Sequence, residues 1–403
     1  MPIDDAMTVN ERRKYLRLMS ERYTKAGRAG RGVMLTEMQA VTGLHRRSLV
    51  RLLNAPSLER APRRPRFRAR RYGSEVADVV RVVWESLDYV CAERLTPALL
   101  VTGQQLAQWE ELALTPAVEA QLATISRATV QRLLRRFQLD TPQLPRRKAQ
   151  PPNRLLREVP MQRLPWATTI PGSFEVDLVH HSGPVASGTY LHTLQLIDVA
   201  TSWSERTPVL GRSQEQMVRG FRRVKARLPF AITHLHPDNG SEFFNDHLIR
   251  YFGEEVVGLK LSRSRPYQKN DNRFVEQKNA TLVRAYLGYG RLDTLAQYEA
   301  LDALYDQMWV YYNLFQPVLH LVEKTVVNGQ LKRRWDAAQT PYQRLLASGV
   351  LSPEQEGRLA GIYAATNPRQ LREDIYHAIE RLWAQPQAPQ ADPLPAAAAS
   401  ATA

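Results

Sequence analysis

Cysteine is almost absent: the chain has one, Cys91. No disulfide can form within the chain, and a cysteine-based zinc site is excluded. A reducing cytoplasm suits such a sequence. No apolar run approaches the roughly 20 residues that span a bilayer. Met1 to Asn10 is polar and acidic, unlike a secretory signal. The expected protein is soluble, remains inside the cell and has no membrane partner. A Gly-rich phosphate loop ending in Lys-Ser or Lys-Thr is also missing, so nothing supports ATP hydrolysis. Acidic residues are in deficit, 40 against 55 Lys and Arg, for a net charge of +15. Such an excess suits a polyanion, nucleic acid first, because each cation placed on a phosphate releases condensed counterions.

The 403 residues suggest two to four domains, and 43% hydrophobic residues are enough to build a sizeable core. Residues from about 8 to 54 read as helices. Tyr15, Leu16 and Met19 recur at helical spacing, and Thr36 can cap a helix containing Met38, Ala40 and Val41. The turn Thr42-Gly43-Leu44 then leads into a helix from about His45 to Leu53. Helix, short glycine turn and Arg-rich helix form the helix-turn-helix pattern, with Arg46, Arg47 and Arg51 where a recognition helix would meet DNA. The same pattern is met in helical hairpins with a solvated basic face. Arg60 to Arg71 holds seven arginines in twelve positions, broken by Pro62 and Pro65. Arg63, Arg64 and Arg66 in this extended strip suit a narrow minor groove, or else a merely solvated connector.

A second helical unit is expected from about 73 to 138. Val76, Val79, Val80, Val83 and Leu87 make one apolar stripe. Ser126 can cap a later helix with Val130, Leu133, Leu134 and Phe137 inward and Arg127, Arg132, Arg135 and Arg136 outward. Pro142 to Pro160 reads as a linker. Beyond it the pattern changes to strands at Phe174–Val179, Tyr190–Val199, Ser202–Val209, Ile232–His236 and Gly258–Ser262. Helices are expected at Ser213–Leu228, Ser241–Phe252, Asn272–Leu287 and Leu292–Phe315. This order describes an α/β sheet with helices on its faces. Residues 318–384 look mixed, with a small basic module around Lys324 to Arg334, and the tail from Pro386 has no core-forming residues.

Three acids stand out. Asp177 sits inside an apolar strand, where a carboxylate is costly unless paired or metal-bound. Asp238 ends the fourth strand before the tight-turn pair Asn239-Gly240. Glu276 lies on the next long helix. Each alone has an ordinary reading as hydrogen-bonded, turn-forming or surface charge. Together they can converge at one sheet edge, where two divalent cations need oxygen ligands. Two such ions about 4 Å apart activate the attacking oxygen and stabilise the leaving one at phosphorus. His180, His181, His192, His234 and His236 show no metal-ligand spacing and suit structural or DNA-contact roles.

Phe-Glu-Val-Asp-Leu-Val, Asp-Asn-Gly-Ser-Glu-Phe and Ser-Arg-Pro-Tyr-Gln-Lys-Asn-Asp-Asn-Arg-Phe-Val-Glu-Gln-Lys-Asn resemble the integrase core of bacterial insertion-sequence transposases. These are relatives of retroviral integrases with a ribonuclease-H-like fold. The resemblance is close over about 165–317 and implies Asp177, Asp238 and Glu276 as catalytic residues and ligands of two Mg2+ or Mn2+ ions. Asn239, Gly240 and Asn270 would support them. Arg265, Tyr267 and Lys269 look like part of the mobile loop before the catalytic helix. Lys278 and Arg284 could grip a DNA end; each cation equally suits a solvated surface.

The segment between Asp238 and Glu276 is slightly longer than usual in the family, and Val283 stands where a Lys or Arg is common. The expected chain is multidomain. A helix-turn-helix unit spans 1–58, a basic linker 59–72, a second helical DNA-binding unit 73–140 and a Pro-rich linker 141–164. A ribonuclease-H-like catalytic core follows at 165–317, then a mainly helical C-terminal region at 318–384 and a Pro/Ala tail at 385–403.

The resemblance implies a transposase that cuts and joins DNA as a homo-oligomer, in the cytoplasm and associated with the nucleoid of a bacterial cell. A catalytically inactive DNA-binding regulator, or a nuclease that cuts without joining, are the alternatives.

Overall fold

The structure is a computed structural model describing residues 7–55, 71–137, 169–237, 259–262, 273–327 and 330–388. It divides into two compact units, residues 1–71 and 72–403.

Among the described residues the first unit holds three helices, α1 (Val9–Lys25), α2 (Arg28–Thr42) and α3 (Arg46–Leu53). Thr8 and Glu11 cap α1 reciprocally, each side chain taking the other's orphan backbone donor. Gly43 closes α2 in the left-handed conformation, at φ 67°, where a side chain would be strained. His45 caps α3 by accepting from the Arg47 amide. Leu16, Met19, Tyr23, Leu35, Met38 and Leu49 meet in one small core. Thr36 does not start α2 as expected. The helix is already under way from Gly27, and the Thr36 hydroxyl donates back to the Gly32 carbonyl at 3.2 Å.

The second unit begins with α4 (Ser74–Ser86), α5 (Ala92–Gln108), α6 (Pro116–Thr124) and α7 (Arg127–Leu134). The Val76, Val79, Val80, Val83 and Leu87 stripe is buried throughout. Ser126 caps α7, accepting from the Thr129 amide.

Among the described residues five strands follow in the spatial order β3-β2-β1-β4-β5: β1 (Ser173–His180), β2 (Leu191–Asp198), β3 (Ser204–Leu210), β4 (His234–Pro237) and β5 (Lys260–Leu261). β1 pairs antiparallel with β2 and β2 with β3, whereas β4 is parallel to β1 and to β5. Alternation along β1 turns Phe174, Val176 and Leu178 to one face and Glu175, Asp177 and Val179 to the other. The first face packs on helix α8 (Gln214–Arg227) through Met217, Phe221 and Val224. Gly220 lets α8 approach closely, since a Cβ there would stand 3.2 Å from Leu194 and Val209.

The second face is covered by two interrupted helices. α9 (Arg273–Lys278) continues through a π-helical stretch, Asn279–Arg284, into a last turn at Ala285–Leu287. α10 (Leu295–Val310) ends in a π-helical turn, Tyr311–Phe315. The fully buried Arg206 donates to the carbonyls of Leu282 at 3.3 Å and Met308 at 3.1 Å, satisfying backbone groups of both.

The C-terminal region is a two-stranded ribbon, β6 (Leu321–Val327) with β7 (Gln330–Trp335), followed by α11 (Pro341–Ser348), α12 (Pro353–Ala364) and α13 (Pro368–Ala384). Ile375, Ile379 and Leu382 of α13 share a core with Leu301, Leu304 and Tyr305 of α10. Tyr342, Leu345 and Leu359 join the core that holds the α4 and α5 stripes. Buried Asp88, just after α4, accepts from Tyr286, Arg372 and Tyr376, and so ties the α4–α5 turn to α13.

Candidate functional site

Glu175 and Asp177 stand two apart on β1, on the face crossed by α9. The Glu175 carboxylate, fully buried, accepts the amides of Phe274 at 2.7 Å and Val275 at 2.9 Å. These are among the first described residues of α9, so a strand side chain satisfies orphan donors at its start. One turn further, the Asn279 side-chain amide donates to Asp177 Oδ2 at 2.5 Å. Asp177 Oδ1 accepts the Leu178 amide at 2.8 Å. Glu276 lies between these two anchors and is exposed. It is three residues before Asn279, the spacing that puts helix side chains on one flank. The sheet therefore holds the helix of Glu276 against the strand of Asp177 at two points.

β4 runs beside β1 with Pro237 opposite Val176, one residue short of Asp238. Asp238, Asn239, Gly240, Arg265, Tyr267, Lys269 and Asn270 lie outside the described residues, as do Arg63, Arg64 and Arg66 and the helix expected at 241–252. Among the described residues no group of three or more His, Cys, Asp or Glu is placed to hold a metal ion. What is described offers hard oxygen donors. Among the described residues the buried Asn279 Oδ1 atom has no hydrogen-bond partner, on the amide that touches Asp177. Carboxylate and amide oxygens are the hard donors that a divalent cation such as Mg2+ takes.

Sequence reasoning missed Glu175 and Asn279. Glu175 reads as an isolated acid in a strand, and its cost when buried is the only signal. Asn279 sits three residues after Glu276, a spacing that could have been noticed.

The cations take varied positions. Arg47 and Arg51 are exposed on α3, and exposed Arg46 donates to Thr36 at 3.2 Å and the Gly32 carbonyl at 3.3 Å. Arg127, Arg132 and Arg135 are exposed on or beside α7, with Arg127 3.7 Å from Glu93. Lys278 is half-buried over the Tyr312 ring, 4.9 Å from its centroid. Burial first, then Arg94, Arg206 and Arg344, pushes its pKa down to about 7. Arg284 donates to the His180 carbonyl at 2.6 Å and lies 4.7 Å over Tyr289. It braces the end of β1 against the last turn of this helix.

The five histidines near the carboxylates in sequence fall on two parts of the sheet, β1–β2 and β4. His181 shares a hydrogen bond with Thr193 at 2.8 Å, and Thr193 with Tyr305. Burial, followed by Arg284, His192 and His180, lowers its pKa to about 3. His234 and His236 both meet the Ser262 hydroxyl at 2.6 Å, closing β4 onto β5.

No protein-family model matches the sequence. The catalytic core domain of BIV integrase aligns over 44% of this chain and 95% of its own, at 18% identity and a TM-score of 0.28. Among the described residues no helix is long and apolar enough to cross a membrane. A protein of Sinorhizobium fredii (strain NBRC 101917 / NGR234), "Uncharacterized protein y4rM", is 36% identical over 325 residues, 80% of this chain and 92% of that protein. At that identity and coverage, the chain belongs to the same family as the y4rM protein of Sinorhizobium fredii.

Proposed function

We propose that this chain is a DNA transposase of the integrase type, with Asp177, Asp238 and Glu276 as its catalytic carboxylates. The observation that carries the reading is the double anchorage of α9 on β1. Glu175 holds its start and Asp177 holds Asn279, which brings Glu276 to the strand of Asp177. The parallel pairing of β4 with β1, ending one residue before Asp238, supports the third position. The sheet order, three antiparallel strands continued by two parallel ones, suits the ribonuclease-H-like core that the sequence motifs imply.

The reaction is two in-line displacements at phosphorus. Water attacks at the end of a mobile element, the bond to the 3′-oxygen breaks, and a free 3′-hydroxyl is left. That hydroxyl attacks a target phosphodiester, forming one P–O bond and breaking another. No high-energy cofactor is required. Asp177 and Glu276, with Asp238, would hold two Mg2+ or Mn2+ ions, which as Lewis acids lower the charge cost of both displacements. The protein's own part is geometry: β1 fixes Asp177, Asn279 orients its carboxylate, and Glu175 fixes the helix of Glu276.

Helices α2 and α3, joined through the Gly43 turn, serve in this reading as a helix-turn-helix with Arg47 and Arg51 toward DNA. α6 and α7 would form a second reader through Arg127, Arg132 and Arg135. Joining two ends at once requires more than one copy, so a homo-oligomer is part of the proposal.

The test is strand transfer on duplexes ending in the inverted repeats that flank the gene. Asp177→Asn, Asp238→Asn and Glu276→Gln should each abolish joining while leaving duplex binding within a few-fold of the parent. Near-normal joining by Glu276→Gln would refute the assignment. Cleaved but never joined products from the parent would reduce the activity to that of a nuclease.

A further inference from the structure

The β6–β7 ribbon takes no part in the site described above, yet it carries a run of exposed cations. Lys332, Arg333 and Arg334 follow one another on β7, all exposed. The register sets Thr325 opposite Lys332 and Glu323 opposite Arg334, with Arg333 opposite Lys324. Alternation therefore sends Lys332 and Arg334 to one face and Arg333 to the other. Glu323 is the one acid in the two strands, paired with Arg334 at 3.0 Å. Val322 and Trp335 are about half exposed near the base, at 51% and 48%.

The base is held firmly. Asp336 and His320 exchange backbone and side-chain hydrogen bonds at 3.0 and 2.8 Å. Val318 and Gln339 pair at 2.8 and 3.2 Å, and Arg344 bonds Asp336 at 2.8 Å. His320 also meets the Ser202 hydroxyl at 2.8 Å, tying the base to the turn before β3. A two-stranded ribbon by itself gains little stability of its own. Rigid at its root, cationic on both faces and about 20 Å long by strand rise, it has the form of an arm made to be covered.

We infer that the β6–β7 ribbon is a DNA-binding arm that enters a groove of duplex DNA, with Lys332, Arg333 and Arg334 on the flanking phosphates. This rests on the reading that the chain acts on DNA. A two-stranded ribbon fits the major groove, about 12 Å wide, and cations on both faces then meet both walls. The contact is to the backbone, so it is independent of sequence.

The experiment uses the full chain and an unrelated 30-base-pair duplex labelled for fluorescence anisotropy, titrated at several salt concentrations. Each lost phosphate contact should flatten the log K against log salt slope by about 0.9. The variant Lys332→Gln/Arg333→Gln/Arg334→Gln should flatten it by about 2 to 3 and weaken binding at least tenfold in low salt. Glu323→Gln frees Arg334 and should tighten binding two- to fivefold, a gain that no folding defect imitates. The comparison variant Arg358→Gln/Arg381→Gln removes exposed cations from α12 and α13 and should change the slope by less than 1. An unchanged slope in the triple variant, or an equal loss in the comparison variant, overturns the proposal. A triple variant that binds DNA normally but sediments as a smaller species overturns it in favour of a protein contact. Absence of duplex binding by the parent would instead refute the reading that the chain acts on DNA.

Discussion

Replacing Glu175 with alanine should loosen the helix that carries Glu276 well before it unfolds the protein. The Glu175 side chain accepts two amides, at 2.7 and 2.9 Å, from a fully buried position. Hydrogen bonds to a charged acceptor contribute about 1.5–3 kcal/mol each. Alanine also leaves both amides without this acceptor at the start of α9. Removing a buried carboxyl returns part of its desolvation cost, so the global loss is smaller than the local one. A local loss of about 3 kcal/mol corresponds to roughly 100-fold faster amide exchange. Hydrogen–deuterium exchange should show this over 273–287, while β2 (Leu191–Asp198) stays protected. Joining activity should fall at least as far, because the helix of Glu276 then lacks its anchor at Glu175 and keeps the one at Asn279. Glu175→Gln keeps a carbonyl acceptor and should fall between. Unchanged protection of 273–287 in Glu175→Ala would refute the anchoring role.

Asn279→Ala should reduce joining most at low Mg2+, with partial recovery as Mg2+ rises; a loss independent of Mg2+ would argue against a role beside Asp177. Asp88→Ala leaves buried Arg372 without its carboxylate and should cost about 3–5 kcal/mol, read as a drop in melting temperature. Asp88→Asn should cost less, since Asn also tolerates the left-handed backbone at φ 58°. His181 is held neutral by burial, with its folded pKa depressed from 6.5 to about 3. The unfolded chain takes up the proton first, so its stabilising contribution is complete above about pH 6.5 and is lost as pH falls toward 3. His181→Gln should flatten acid unfolding across that window, and an unaltered profile would dismiss the effect.

Much of the local structure was legible because it depends on neighbours in sequence. The valine stripe of α4 needed only helical spacing, and the cap Ser126 only a hydroxyl three residues before an orphan amide. The alternation of β1 set Asp177 on the opposite face from Phe174 and Val176. Features that depend on distant partners were hidden. Thr36 has the chemistry of a cap, but Gly27 begins the helix earlier and Thr36 becomes an interior residue. The π-helical stretches at 279–284 and 311–315 show no sign in composition, and Arg206 from β3 bonds the Leu282 carbonyl in the first and the Met308 carbonyl just before the second. The packing of α13 on α10 joins residues some 70 apart, so local spacing at 318–384 gave only a mixed region. At the candidate site, Asp177 and Glu276 could be named from their motifs. Glu175 and Asn279, which bring their elements together, became visible only through the crossing of α9 over β1.

The most direct test of the proposed centre is crystallographic. Crystals grown with Mn2+ and measured at its absorption edge should show anomalous density bonded to Asp177 and Glu276, with Asp238 completing the set. Density elsewhere, or none at saturating Mn2+ while Glu276 points away from β1, would contradict a shared metal centre.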